Sequence, residues 1–415
     1  MAIHIFMVLA IFGITASSQS VSYEGYHVFR MTPHSVDQVE FLKSLDPTVN
    51  FWKDCSVPER VCDVLLSPKQ QGSLLPEIET LGITVDKFVD DVGSLAKIEN
   101  REQVGRIAWD DYYGVDDIHA FLNEQASSHS SIANVINIGP SFEERNLNVI
   151  KIAKNSTRKP VIFVEANAHA REWITNAVTT YLVNELLNSE DTDIQEWTND
   201  FDWYVLPVFN PDGLEYTRST DRLWRKNRSN STTPPYCRGV DLNRNFDYNW
   251  CGVGSSINPC SDTYCGSAPN SEPETRALTT FIQENLKDDL VLYLSVHSYS
   301  QFIMFPFGDT VDTSFYDYNM RIATEAANAA QVRYGTVFSP GNWLQILYPS
   351  TGDSMDWVKS KLMSSSPSSL SFTYELRDTG RYGFLLPKEQ ILPSAEEFVD
   401  SLKPIIDALR TGISA

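Results

Sequence analysis

The sequence predicts an α/β protein. Its large domain, residues 107–415, should hold a mixed, mostly parallel central sheet covered by helices on both faces, preceded by a small α+β domain. Three observations carry that expectation. Apolar strand candidates alternate with amphipathic stretches from Ile107 onward. The strands are near-continuously apolar, as in VIFVEA and VLYLSV, which marks a sheet buried on both faces. A shorter alternation of its own occupies residues 23–100.

In chain order, residues 3–16 form an uncharged apolar run followed by small polar residues. Its 14 residues are too few to cross a hydrocarbon core of about 30 Å as a helix. The pattern is that of a secretory signal over residues 1–18, although its start carries no Lys or Arg. In the small domain, residues 26–30, 61–66 and 84–89 read as strands, and 35–45 and 74–81 as helices. Residues 97–106 carry Lys97, Arg101 and Arg106 without apolar periodicity, and read as a linker where a trypsin-like protease could cut. In the large domain, strands are expected at 147–153, 161–165, 203–208, 291–296 and 371–376. Helices are expected at 115–125, 175–188, 271–285, 313–331 and 394–410. Ser271-x-x-Glu274 and Ser394-x-x-Glu397 have capping-box spacing. The serine-rich stretch 364–369 reads as a loop.

Composition narrows the function classes. With 54 acidic residues against 33 basic ones the net charge is −21, so the basic footprint of nucleic-acid binding is missing. A polybasic membrane anchor is excluded on the same ground. At 42% hydrophobic and 12% aromatic the chain can build a large core, which excludes disorder. After the signal no apolar run reaches about 18 residues, so a soluble, secreted protein is expected. Cys55, Cys62, Cys237, Cys251, Cys260 and Cys265 are even in number, with no CxxC and no histidine among the last four. Disulfides are therefore expected rather than a zinc cluster, and spacing alone does not choose the pairing. Asn155, Asn227 and Asn230 each open a glycan-acceptor triplet.

Of seven histidines, His4 falls in the signal and His27 and His34 in the small domain. His119 and His129 lie among polar residues, where solvation is expected. His169 and His297 remain, each just after a buried strand, at the sheet end where open α/β folds bind ligands. Glu172 stands three residues beyond His169, on the same face if a helical turn begins there. Two His and one Glu with a fourth position open is the ligand pattern of catalytic zinc, whereas structural zinc takes four protein ligands. On these residues alone the competing reading, two core histidines bonded to backbone, stands beside it. Arg218, Arg222, Arg225, Lys226 and Arg228 put five cations in eleven residues, of which Arg218 and Arg228 read as solvated. Arg244 beside Asn243 suits capture of a carboxylate, so a substrate with a free carboxylate is expected. Glu375 ends an apolar strand, where it either pairs with Arg377 or Arg381 or serves as a general base.

Taken together, HAREWI (169–174), FNPDG (209–213), RLWRKNRS (222–229), GVDLNRNF (239–246), SVHSYSQ (295–301) and YELRDTGRYGFLLP (374–387) resemble the zinc metallocarboxypeptidases of the pancreatic carboxypeptidase A/B family. Six pieces in the family's order, spanning nearly all of residues 107–415, are very specific, and residues 19–106 resemble its activation prosegment, an open sandwich. The resemblance implies one zinc ion held by His169, Glu172 and His297, with Glu375 as the base that deprotonates the attacking water at the zinc. It implies Arg225 against the tetrahedral oxyanion, Asn243 and Arg244 on the terminal carboxylate, and Tyr348 as a cap over the bound residue. Arg171 and Phe384 would meet the substrate upstream. The implied disulfides are Cys237–Cys260 and Cys251–Cys265, worth roughly 3 kcal/mol each in the chain-entropy model, which leaves Cys55–Cys62. Cleavage after Arg101 or Arg106 would activate a zymogen whose prosegment covers the cleft. A monomer is expected, with peptide and protein C-termini as substrates.

The pocket position that separates A-type from B-type enzymes aligns with Met355, whose neutral thioether favours aromatic or aliphatic C-terminal residues. Asp353, two positions earlier, would favour Lys or Arg if it faced the pocket. Phe246, where a Trp is usual, and Leu347 before Tyr348 are conservative departures. A non-catalytic relative that binds peptide C-termini is the remaining alternative, although every ligand, the base and the oxyanion arginine are present.

Overall fold

Alternation of side chains across two pleated sheets organises the whole molecule. The computed structural model describes residues 20–98, 106–154, 158–231, 234–363 and 369–413. The signal segment, Arg101, the Asn155 triplet and residues 364–368 of the serine-rich stretch lie outside the described residues. None of the helices among the described residues is long and apolar enough to cross a membrane.

The first sheet comes from β1 (His27–Thr32), α1 (Val36–Ser44), β2 (Asn50–Lys53), β3 (Cys62–Leu66), α2 (Pro68–Thr80), β4 (Thr84–Val89) and α3 (Val92–Ile98). Its strand order is β2-β3-β1-β4, every pairing antiparallel. Phe29, Met31, Val64 and Leu66 point to one face and pack under Leu42 of α1 and Ile78 of α2. Val28 and Leu65 point the other way and pack, with Trp52, against Leu223, Tyr299, Phe384 and Leu385 of the large domain. An open sandwich must cover its second face, and here the large domain does so. Each such side chain is worth about 1.5–3 kcal/mol when fully buried.

The large domain continues with α4 (Val115–Ser128), β5 (Ala133–Pro140), β6 (Asn146–Ile152), β7 (Val161–Ala166), α5 (Trp173–Asn188), α6 (Thr192–Asp200), β8 (Asp202–Leu206) and α7 (Pro211–Ser219). It ends with α8 (Pro273–Asn285), β9 (Leu290–Ser298), β10 (Phe302–Phe305), α9 (Tyr316–Tyr334), β11 (Ser339–Asn342), α10 (Trp343–Ile346), α11 (Ser354–Lys361), β12 (Leu370–Leu376) and α12 (Ile391–Ile413). The eight strands run β11-β10-β12-β9-β7-β8-β6-β5. The central neighbours β12, β9, β7 and β8 are parallel, and antiparallel pairings flank them. Ile162, Val164, Leu292, Leu294, Phe372 and Tyr374 face the layer containing α5, α9 and α12. Val161, Phe163 and Tyr293 face α8 and α11, with the Phe163 and Tyr293 rings stacked at 5.9 Å. Burial on both sides explains why these strands show no polar alternation.

The mixed sheet, its helical layers and the small leading domain agree with the expectation. The cysteines pair as Cys55–Cys62, Cys237–Cys260 and Cys251–Cys265. Several expectations need correction. Neither capping box forms, because α8 begins at Pro273 and α12 already at Ile391, leaving Ser394 inside the helix. The Ser271 hydroxyl instead donates to Glu272. Strands β2, β5, β10 and β11 went unread, being short or edge-like. His119 and His129 are half-buried rather than solvated, the latter with Nδ1 3.1 Å from the Gln125 carbonyl. Arg228 is buried, its guanidinium 3.5 Å from the Tyr216 ring centre and 4.5 Å from that of Trp224. Arg218 is half-buried and donates to the Tyr112 carbonyl. Stacking on aromatic faces is what takes Arg228 out of water, and Arg218 lies 5.4 Å from the Trp173 ring centre.

Arg377, just beyond β12, donates through Nε and Nη2 to both oxygens of the fully buried Glu397 on α12, each at 2.7 Å. Removing one partner strands a buried charge. Arg377→Ala is therefore expected to lower the unfolding free energy by about 3–5 kcal/mol, read as a shifted midpoint in denaturant titration at unchanged slope.

Candidate active site

On β7, β9 and β12 the residues facing α8 and α11 are the odd-numbered ones, so Glu165, Ser295, His297, Thr373 and Glu375 share one face. Parallel register sets Glu375 opposite His297, and both Thr373 and Glu165 opposite Ser295. His169 follows β7 directly, and Glu172 stands at the start of α5.

Glu172 Oε1 lies 2.7 Å from His169 Nδ1, and Oε2 lies 3.1 Å from His297 Nδ1. The two Nδ1 atoms are 3.1 Å apart. One ligand atom from each residue falls within 4.8 Å of the others, and all three side chains are buried. Two imidazole lone pairs and a carboxylate aimed at one point fit a cation that takes nitrogen and oxygen ligands, as zinc does. Burial alone would raise the Glu172 carboxyl, but the two imidazoles outweigh it and hold the group below the usual carboxylate range. Beside them, Glu375 is half-buried, and its Oε2 atom is buried with no hydrogen-bond partner among the described residues. Burial first, and the Glu172 charge second, push its carboxyl up to about 8.

The 3₁₀ turn Leu242–Arg244 presents the next groups. Asp241 caps that turn, accepting from Asn243 N–H at 2.9 Å. Its Oδ1 also lies 3.2 Å from His169 Nε2, and its Oδ2 accepts from Arg225 Nε and Nη2 at 3.0 and 2.8 Å. Burial opposes that charge, yet Arg225 and His169 hold Asp241 well below the ordinary range. Arg244 donates to the carbonyls of Gly254 and Asn243, while Nη2 is buried without a partner among the described residues. Arg225, Asn243, Arg244, Tyr348, Glu375 and Phe384 line one cavity with the three metal-binding candidates.

Three expected residues lie outside that cavity. Met355 is fully buried behind it, packed on Met304, Trp343 and Leu347. Arg171 lines the adjoining cavity, its guanidinium 4.3 Å from the Phe384 ring centre. Asp353 caps α11, where Oδ1 accepts from Asp356 N–H at 2.9 Å and Oδ2 is buried without a partner among the described residues.

The small domain reaches into the same space. Trp52 packs on Phe384 at 5.2 Å, and Lys53 enters the cavity of Glu375. Arg171 donates to Asn50 Oδ1 and to the Phe51 carbonyl. Arg60 donates to the carbonyls of Leu344, Gln345 and Leu347 at the end of α10. Arg30 forks onto the buried Asp63, which also accepts from Tyr299 OH at 2.8 Å. Sequence reasoning missed the roles of Asp241 and of these small-domain residues. Asp241 lay inside the quoted GVDLNRNF, where an acid close to the two residues expected to hold a carboxylate was a usable signal. The contacts from the small domain to the large one span more than a hundred residues of chain and left none.

The zinc carboxypeptidase family model matches residues 118–401, and the carboxypeptidase activation peptide model matches residues 29–99. The chain is 34% identical to zinc carboxypeptidase A 1 of Anopheles gambiae, over 96% of this chain and 93% of the relative. It is 34% identical to carboxypeptidase B of Bos taurus, over 92% of each. The crystal structure of carboxypeptidase A from Helicoverpa armigera superposes with a TM-score of 0.86 at 28% identity, covering 96% of this chain and all of that one.

Calorimetric titration of the metal-free chain with Zn²⁺ is expected to saturate at one ion per molecule. Glu172→Gln removes a ligand rather than an outer partner, so affinity should fall by more than about 100-fold.

Proposed function

Because the chain belongs to the zinc carboxypeptidase family and carries that family's activation peptide, we propose that residues 1–18 direct export, 19–106 form the prosegment, and 107–415 are the catalytic domain of a secreted, monomeric zymogen. The enzyme is a zinc-dependent exopeptidase of the hydrolase class, and its activation peptide implies proteolytic activation. We assign activation to a trypsin-like protease cutting after Arg101 or Arg106; the Arg106 side chain is 78% exposed.

The observation that carries the mechanism is the pair of buried, unpartnered groups in one cavity, Arg244 Nη2 and Glu375 Oε2. A guanidinium nitrogen without an acceptor suits an incoming terminal carboxylate, and a carboxylate oxygen without a donor suits the attacking water. Zinc, held by His169, Glu172 and His297, supplies Lewis-acid polarisation and a lowered water pKa. Glu375 takes the proton of the attacking water and returns it to the leaving amine. Arg225, oriented by Asp241, faces the tetrahedral oxyanion. Asn243 and Arg244 hold the carboxylate, which restricts hydrolysis to the last peptide bond. Tyr348 closes over the bound residue, and Arg171 with Phe384 meets the preceding ones.

The apolar wall of Trp343 and Leu347, backed by Met304 and Met355, favours an aromatic or aliphatic C-terminal residue. A second reading, preference for Lys or Arg, would need Asp353 to face the bound residue rather than cap α11. Among the glycan acceptors, Asn230 is exposed. Asn227 is buried, its amide donating to Glu272 and Glu274 and its oxygen accepting from Val240 N–H, so it is closed to modification.

After limited trypsin treatment, chelator-sensitive release of Phe is expected to exceed release of Arg from peptides that differ only at that residue; the reverse order moves the pocket assignment to Asp353. Release of neither, from cleaved and zinc-loaded protein, would favour the peptide-binding alternative. Arg225→Ala should lower kcat by about 10²–10³-fold. The base must be unprotonated, so kcat/KM should fall as pH drops through the Glu375 pKa. In protein expressed through a secretory pathway, Asn230→Gln should remove a glycan mass and Asn227→Asp should remove none, read by mass spectrometry before and after deglycosylation.

A further inference from the structure

Glu165 is fully buried at the end of β7, next to the metal-binding cluster but not part of it. Its Oε1 accepts from Ser295 Oγ at 2.5 Å and from Ser354 Oγ at 3.1 Å. A carboxylate taken out of water and answered by two serine hydroxyls costs folding free energy, and an apolar residue of that size would fit a core strand better. Its placement follows from register. Glu165 and Ser295 are cross-strand partners, and His297 is two residues along the same face of β9.

A serine hydroxyl has one proton and two lone pairs. With that proton given to Glu165, Ser295 Oγ has only acceptor capacity left for His297 Nε2, which lies 3.0 Å away. Nε2 must then carry the imidazole proton, and Nδ1 presents its lone pair toward His169 and Glu172. Asn243 Nδ2 stands 3.3 Å from the same Nε2. Facing a protonated nitrogen, that amide hydrogen finds no lone pair and stays free for a substrate carboxylate. The other metal-binding histidine has its Nε2 on a carboxylate directly, Asp241 at 3.2 Å. Both rings are thus turned by an acid, one at first hand and one through a hydroxyl.

We infer that Glu165 is a positioning residue of the zinc site: through Ser295 it fixes His297 in the tautomer that offers Nδ1 to the metal, as partners behind ligating histidines do elsewhere. The inference rests on the zinc site proposed above. In Glu165→Gln the amide can donate as well as accept, so the tautomer is no longer dictated. In Ser295→Ala the bridge is gone.

The test uses the intact chain loaded with one zinc ion, with release into an excess of a chromogenic chelator followed in time. Each single variant should release zinc about 10–100-fold faster than wild type, and the double variant no faster than the worse single one. Ser295→Thr, which keeps the hydroxyl, should restore the slow rate. In cobalt-substituted protein the visible absorption bands should shift in the two single variants and not in Ser295→Thr. A purely structural role would lower the melting temperature of the metal-free chain while leaving release rate and cobalt bands as in wild type, and that result overturns the inference. Should Glu165→Gln fail to fold, a folded Ser295→Ala that holds zinc as wild type does is sufficient to overturn it. A wild-type chain that takes up no zinc overturns the metal site, and the relay with it.

Discussion

Parallel pairing of β7, β9 and β12 in one register is the constraint on which the site depends. It sets Glu375 opposite His297 and Glu165 opposite Ser295, and brings β7 to its end just before His169 and Glu172. A slip of one residue in any of these strands would turn its polar group into the opposite apolar layer. The register is itself held by burial on both faces: Leu292, Leu294 and Val296 bind one helical layer while Tyr293 binds the other. The site therefore inherits its precision from the core, and polar residues cluster only where the strands end.

Charge in the site is arranged as a chain of dependences. Asp241 restrains His169 and Arg225 together, so a metal-binding candidate and the proposed oxyanion cation share one carboxylate. The small domain meets these groups with chemistry of its own. Trp52 covers Phe384, Lys53 sits beside Glu375, and Asn50 and Phe51 occupy Arg171. The face that binds the large domain is the one α1 and α2 leave bare, so covering the cleft and completing the small sandwich are the same interaction.

Much of this was legible in the sequence for physical reasons that can be named. Strands such as β7 and β9 announced themselves because burial on both sides makes them continuously apolar. The metal ligands stood out because histidines after such strands are few, and Glu172 is local to His169. What failed was local signal overruled by tertiary context. Ser394 has capping spacing, yet α12 starts earlier on apolar Ile391. Arg228 reads as a surface cation, yet stacks on Tyr216 and Trp224. Short strands β10 and β11 have too few residues to show a period. Met355, read at the pocket position, is fully buried and packs on Trp343 and Leu347, which line the cavity.

The central claim is that strand register, with the turn from β7 into α5, gathers a metal centre with Glu375 beside it under a covering prosegment. Anomalous diffraction at the zinc absorption edge, from crystals of the uncleaved, zinc-loaded chain, tests it most directly. The account predicts one peak about 2.0–2.2 Å from His169 Nδ1, His297 Nδ1 and a Glu172 oxygen, with Trp52 and Lys53 still over the cavity. A peak coordinated through either Nε2, or one that engages none of these three residues, would contradict it.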